Sequence, residues 1–212
     1  MYYRFIIYIF ILLVSCNCNK NYFNFKKQYD EFFFENLFKI VKQTTISQLN
    51  ENKYNHFVDI DYTDKDTGIA VRFLKNGKDR GCISFYRGVS DIDTACEYAS
   101  INAAFFDTRY KPITKEELNN LEVEITIFGK FNQISDYYNF DIGIHSLWIY
   151  DYSNHGLLQA QIATQEKYNK NQFLEALCKK ANMDKESYKN RNILLYKAFS
   201  TFKRKKFSNI EM

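Results

Sequence analysis

The residues best suited to chemistry in this chain are the consecutive Arg80, Gly81 and Cys82. On a strand, residues two apart point to the same face about 7 Å from each other. Arg80 and Cys82 are therefore expected to share a face, where the guanidinium would lower the thiol pKa. A thiolate so placed could act as a nucleophile, a redox group or a metal ligand. Gly81 between them would let a ligand or another backbone come close. The same residues have a plainer reading. Asn76-Gly77 is a strong two-residue hairpin signal. A hairpin closed there pairs Cys82 with Val71 and Arg80 with Phe73, on an apolar face where Cys82 is a buried structural cysteine. The residues alone leave both readings open.

Around this centre the other candidates are dispersed. Cys96 and Cys178 fall on apolar helix stripes and read as core. His145 and His155 are ten residues apart, which fits neither a helical zinc pair nor another compact ligand motif. A site joining Cys82 to His145, and to His155, would have to be assembled by the fold; no cofactor is predicted, and a metal at Cys82 and His145 has no motif behind it. His56 sits in a polar loop and reads as solvated. Asp107 and Arg109 bracket a turn and read either as a local ion pair or as a substrate clamp. There is no glycine-rich phosphate loop, serine elbow or cluster of metal-spaced carboxylates. A net charge of +4 over 212 residues with no basic stripe gives no reason to expect nucleic acid as a partner.

The elements that must position these residues follow from periodicity. Phe34, Leu37 and Val41 recur at helical spacing, so an amphipathic helix is expected over 27–49. Strands are expected over 68–74 and 79–86, joined at Asn76-Gly77. Ser90 with Asp93 resembles a capping box, opening a helix carried by Ile92, Ala95, Cys96, Ala99, Ala103 and Phe106. Residues 107–112 break that helix, and Thr114 with Glu117 caps a short third one. Val123, Ile125 and Ile127 alternate with Glu122, Glu124 and Thr126, which predicts a strand with one solvated face. Further strands are expected over 144–151 and 193–202, with a helix over 173–181. Helices and hairpins interleave without a βαβ period, so the fold class is α+β, a mainly antiparallel sheet flanked by helices, in one domain with a smaller subdomain.

The N-terminus carries a different message. Arg4 is followed by ten apolar residues, Phe5 to Val14, and then Ser15-Cys16. Ten are too few to span a bilayer, which takes about 20. A small residue before a cysteine at such a boundary resembles a bacterial lipoprotein signal. Residues 1–15 are then the signal peptide, Cys16 is the lipidation site, 16–26 form a lipidated tether, and the protein is held on a membrane outside the cytoplasm. The run Lys203-Arg204-Lys205-Lys206 reads as the start of a solvated basic tail, 204–212, after a domain spanning 27–203.

Several motifs occur together and in order: Asn76-Gly77, Arg80-Gly81-Cys82-Ile83, Ala103-Ala104-Phe105, Asp107-x-Arg109-Tyr110-x-Pro112, Ile142-Gly143-x-His145, Gly156-Leu157-Leu158 and Gln161-Ile162-Ala163. This set resembles the AMMECR family, the A protein of the bacterial AmmeMemoRadiSam system. The resemblance implies an α+β domain with a larger and a smaller part, and a functional surface at the Arg-Gly-Cys motif. Asp79 and Ser84 stand here where the family has a leucine and a glycine. On this basis Arg80, Gly81 and Cys82 are carried over as site residues, with Asp107, Arg109, His145 and Gln161 as further candidates. Two functions are then expected: a cysteine-dependent enzyme or enzyme subunit using Cys82, Arg80 and His145, or a binding protein that docks a Memo-like or envelope partner.

Overall fold

The structure, a computed structural model, describes residues 18–51, 67–89 and 91–212. The leader with Cys16, His56 and Ser90 lie outside the described residues.

Within the stretch expected to form the tether, residues 18–27 are helical (α1). Its aromatic side chains find partners on the domain, Tyr22 and Phe25 both packing against Phe199, and this burial gives the segment a fixed course. Asp30 ends the turn after it and caps α2 (Glu31–Glu51) by accepting from Phe33 N at 2.8 Å. The hairpin follows as β1 (Gly68–Lys75) and β2 (Lys78–Phe85), with Asn76 and Gly77 at φ 54° and 74°, the left-handed pair that the tightest hairpins require. Helix α3 (Ile92–Ile101) is capped by Asp91, whose carboxylate accepts from the amides of Asp93 and Thr94. It widens into a π-type turn at Asn102–Phe106. The Thr114/Glu117 capping box opens a 3-10 turn at Lys115–Asn120. Then come β3 (Leu121–Phe128), β4 (Asn132–Ile134), β5 (His145–Tyr150), β6 (His155–Leu158), α4 (Ala160–Gln165), α5 (Lys170–Lys180) and β7 (Leu194–Lys206).

All strand pairs are antiparallel, in the order β2-β1-β3-β7-β5-β6, with β4 also on β7. The fold is therefore the α+β arrangement expected. Strand β7 joins its two parts: residues 200–206 pair with β3, while 194–199 pair with β5. One core lies under α2 and α3 against the odd residues of β1 and β3, including Phe34, Leu37, Val71, Phe73, Val123 and Ile125. The smaller one joins α5 to β5 through Phe173, Leu174, Leu177, Leu147 and Ile149.

Three expectations are corrected here. Glu124 and Thr126 are 0 % and 1 % exposed, so the polar face of β3 is buried: Gln161 of α4 and Arg204 of β7 bond to Glu124 across it. The basic run is no tail, because Lys203–Lys206 continue β7 against Glu122–Ile125. Lys203 pairs with Glu31, Lys205 with Glu35, and Phe207 and Ile210 beyond are buried. The hairpin register also shifts. Leu74 faces Asp79 but Phe73 faces Gly81, so Arg80 is the extra residue of a β-bulge. Beyond the bulge Cys82 pairs with Arg72, and Val71 pairs with Ile83.

Candidate functional site

A one-residue slip exchanges the faces of every following side chain. The bulge therefore carries Cys82 off the apolar face and onto the polar one with Arg72, and it separates Cys82 from Arg80. The Arg80 guanidinium is fully committed elsewhere. Its Nε and Nη2 clasp the two Glu117 oxygens at 3.0 and 2.8 Å, while Nη1 and Nη2 donate to the carbonyls of Lys111 and Pro112 at 2.7 and 3.1 Å. Arg80 thus fixes the 111–117 loop. The clasp holds the Glu117 carboxyl down at about 2. Gly81 has an equally steric role: a Cβ there would lie 2.0 Å from the Ala103 carbonyl oxygen in the π-type turn. The close approach that Gly81 permits is that of another backbone.

Cys82 is half-buried, and it is a free thiol. Its amide donates to Asp107 Oδ2 at 2.9 Å and its carbonyl accepts from Arg109 Nη2 at 3.2 Å. Because both backbone groups turn outward to these two side chains, the Arg72–Cys82 pair is of the non-hydrogen-bonded kind, in which facing side chains lie closest. Asp107 and Arg109 are also bonded to each other, Nε to Oδ1 at 2.9 Å and Nη2 to Oδ2 at 2.6 Å. Burial pushes the Asp107 carboxyl up, but the bonds from Arg109 and the Cys82 amide outweigh it and leave its pKa below the usual range. The pair is a local ion pair, and its work is to hold the open edge of β2 at Cys82.

Four cationic or acidic groups surround the thiol. Burial raises the Cys82 pKa; Lys180 and Arg72 oppose this, Asp79 adds to it, and Arg109 opposes it. The balance is upward, so the thiol is protonated at neutral pH. Arg72 is shared between Asp79 and Glu124, at 2.5 and 3.1 Å. Arg109 is held by Asp107. Lys180, at the end of α5 in the smaller part, has no hydrogen bond or ion pair among the described residues; desolvation lowers its pKa first, and the neighbouring Arg109 and Arg72 lower it further. Next to Glu124, the two hydrogens of Gln161 Nε2 are shared among Glu124 Oε1, Thr126 Oγ1 and Gln159 Oε1 at 3.0, 2.7 and 2.8 Å, while its buried Oε1 is without a donor.

His145 is not brought to Cys82. On β5, Ser146 bonds to Ser200 on the face shared with Glu124, so His145 points to the opposite face. There the ring stacks on Phe199 at 4.9 Å, and Nδ1 accepts from the Asp141 amide at 3.0 Å. Burial pushes its pKa down to about 4, so the ring is neutral. The expected pairing of Cys82 with His145, as a base or in a metal site, is therefore corrected: the sheet lies between them. Sequence reasoning did not assign Arg72, Glu124, Arg204 or Lys180 to a site. Glu124 left a trace as a charge recurring inside an otherwise apolar strand, and Arg204 as part of a basic run.

A family model described as AMMECR1 matches residues 34–203. A protein of Aeropyrum pernix is 28 % identical over 123 residues, covering 56 % of this chain and 53 % of that protein. One of Sulfolobus acidocaldarius is 30 % identical over 125 residues, covering 56 % and 55 %. The chain thus spans about half the length of these relatives. The crystal structure of an uncharacterized protein, PH0010 from Pyrococcus horikoshii, superposes with a TM-score of 0.71 over 84 % of this chain and 92 % of that one. At 21 % identity that likeness speaks for the fold alone.

Proposed function

The chain belongs to the AMMECR1 family, and on that premise we propose that it is a binding protein, lipid-anchored through Cys16, whose working surface is the junction at Cys82 and whose ligand carries an anionic group. The observation that carries this reading is the β-bulge, which turns Cys82 to the polar face beside Arg72 while Lys180 approaches from the other part of the domain with its charge uncommitted. A carboxylate or phosphate at this place would be met by the Lys180 ammonium and by the Cys82 thiol as a neutral, weak donor. Arg72, held by Asp79 and Glu124, and Arg109, held by Asp107, would add to the local potential.

The enzyme reading fits the geometry less well. A cysteine nucleophile needs a lowered pKa or a base within hydrogen-bond reach. Burial raises the Cys82 pKa, Arg80 is bound to Glu117, and His145 faces away. No helix among the described residues is long and apolar enough to cross a membrane, and the anchor rests on the lipoprotein-like leader.

The test compares two alkylating agents of similar size at Cys82, anionic iodoacetate and neutral iodoacetamide, with peptide mass spectrometry as readout. Relative to the unfolded chain, the folded protein should favour iodoacetate by about tenfold at low salt. The preference should fade with added salt and fall in Lys180→Gln. An unchanged ratio that ignores Lys180 would mean that no anion site exists at this junction. Fast labelling by both reagents below pH 7 would instead support the enzyme.

A further inference from the structure

We infer that Cys18, Asp141 and His145 form a binding site for a single Zn²⁺ ion, separate from the Cys82 junction and on the opposite face of the sheet. One ligand atom from each residue lies within 4.8 Å of the other two. Cys18 Sγ stands 3.2 Å from Asp141 Oδ2, and His145 Nδ1 stands 3.9 Å from the same oxygen. Around a tetrahedral zinc, bonds of about 2.3 Å to sulfur and about 2.0–2.2 Å to nitrogen and oxygen put the ligand atoms roughly 3.3–3.7 Å apart. The three atoms thus need to move by less than about 1 Å to hold the ion.

The donor set suits zinc: one thiolate, one imidazole and one carboxylate. Cys18 and His145 also line a cavity of about 590 Å³, so a fourth coordination position is left for water or a second ligand. Lys197, on the same wall, donates to Asn139 Oδ1 at 2.9 Å. The Cys18 S–H donates to Asp141 Oδ2; a proton therefore sits where the cation would. On binding, the thiol proton leaves to solvent, and sulfur and carboxylate take the metal. The Nδ1 lone pair that accepts from the Asp141 amide is exchanged for a metal bond. Because Cys18 and Asp141 are 123 residues apart, the ion would staple α1 to the smaller part of the domain.

The experiment uses the full chain purified in detergent, stripped with a chelator and titrated with Co²⁺ and then Zn²⁺. One equivalent of cobalt should bind with a thiolate charge-transfer band, and zinc should displace it. Cys18→Ser should abolish the band and weaken zinc binding by at least about tenfold. Asp141→Asn should weaken it too, whereas Cys82→Ser should leave band and affinity intact. Neither Cys18 nor Asp141 is buried, so these variants should fold. The absence of a band in the parent protein, or a band that persists in Cys18→Ser, would overturn the site.

Discussion

At Gly81 the missing side chain has a measurable consequence. An added methyl would lie 2.0 Å from the Ala103 oxygen, whereas at Gly77 nothing lies within 4 Å and only a φ of +74° disfavours it. Gly81→Ala should cost about 2–4 kcal/mol in urea unfolding, because β2 must leave the π-type turn; Gly77→Ala should cost about 1 kcal/mol. Glu117 gives a pH signature. Its folded pKa of about 2 lies below the ordinary 4.5, so its stabilisation is complete above about pH 4.5 and is lost as pH falls towards 2. At 15 % exposure of its side chain, solvent screening reduces that contribution to about 1–2 kcal/mol. Acid unfolding of Glu117→Gln should lack this component, and Arg80→Ala should lose it as well.

Elements decide which charges matter. The polar face of β3 is closed by α4 and by β7, and at its centre Glu124, 0 % exposed, accepts from Arg72, Arg204, Gln161 and Gln165. Glu124→Ala would leave the Arg204 guanidinium without its counter-charge and Arg72 with Asp79 alone, and should cost about 3–5 kcal/mol by chemical denaturation. Lys203→Ala, which opens an exposed pair with Glu31 on the other face of β7, should change stability by less than about 1 kcal/mol. A basic run that reads as one patch in sequence thus splits by strand alternation into Arg204, tied to the buried Glu124 on one face, and Lys203 and Lys205, paired with Glu31 and Glu35 of α2 on the other.

Over the whole molecule, β7 belongs to both cores. Its 13 residues pair with β3 in the larger part and with β4 and β5 in the smaller. Neither part can lose its sheet without breaking the strand that holds the other, so thermal unfolding should be a single transition, with Leu147→Ala and Val123→Ala lowering the same midpoint. Two resolved transitions would contradict a shared β7. The proposed anchor also acts at this scale. Cys16 precedes α1, and α1 packs on the face of Phe199 and His145, so lipid on Cys16 would hold that face towards the membrane and leave the Cys82 junction away from it. Cys16→Ser should move the protein from the membrane fraction to the soluble one, which fractionation and blotting would show.

By itself the sequence determined the type and order of most elements. Alternation and helical spacing are local properties, and the Asn76-Gly77 turn, the Thr114/Glu117 box and the stripes of α2, α3 and α5 record them within a few residues. Ordered motifs also identified the family. Tertiary structure alone decided what the candidate residues do. A single unpaired Arg80 reverses the face of Cys82, because strand periodicity is two and one extra residue changes its parity. Burial of Glu124 depends on α4, which follows 36 residues later in the chain, and the meeting of Cys18 with His145 depends on docking of α1. These are long-range contacts, chosen by which surfaces can be removed from water together, and no local spacing encodes them.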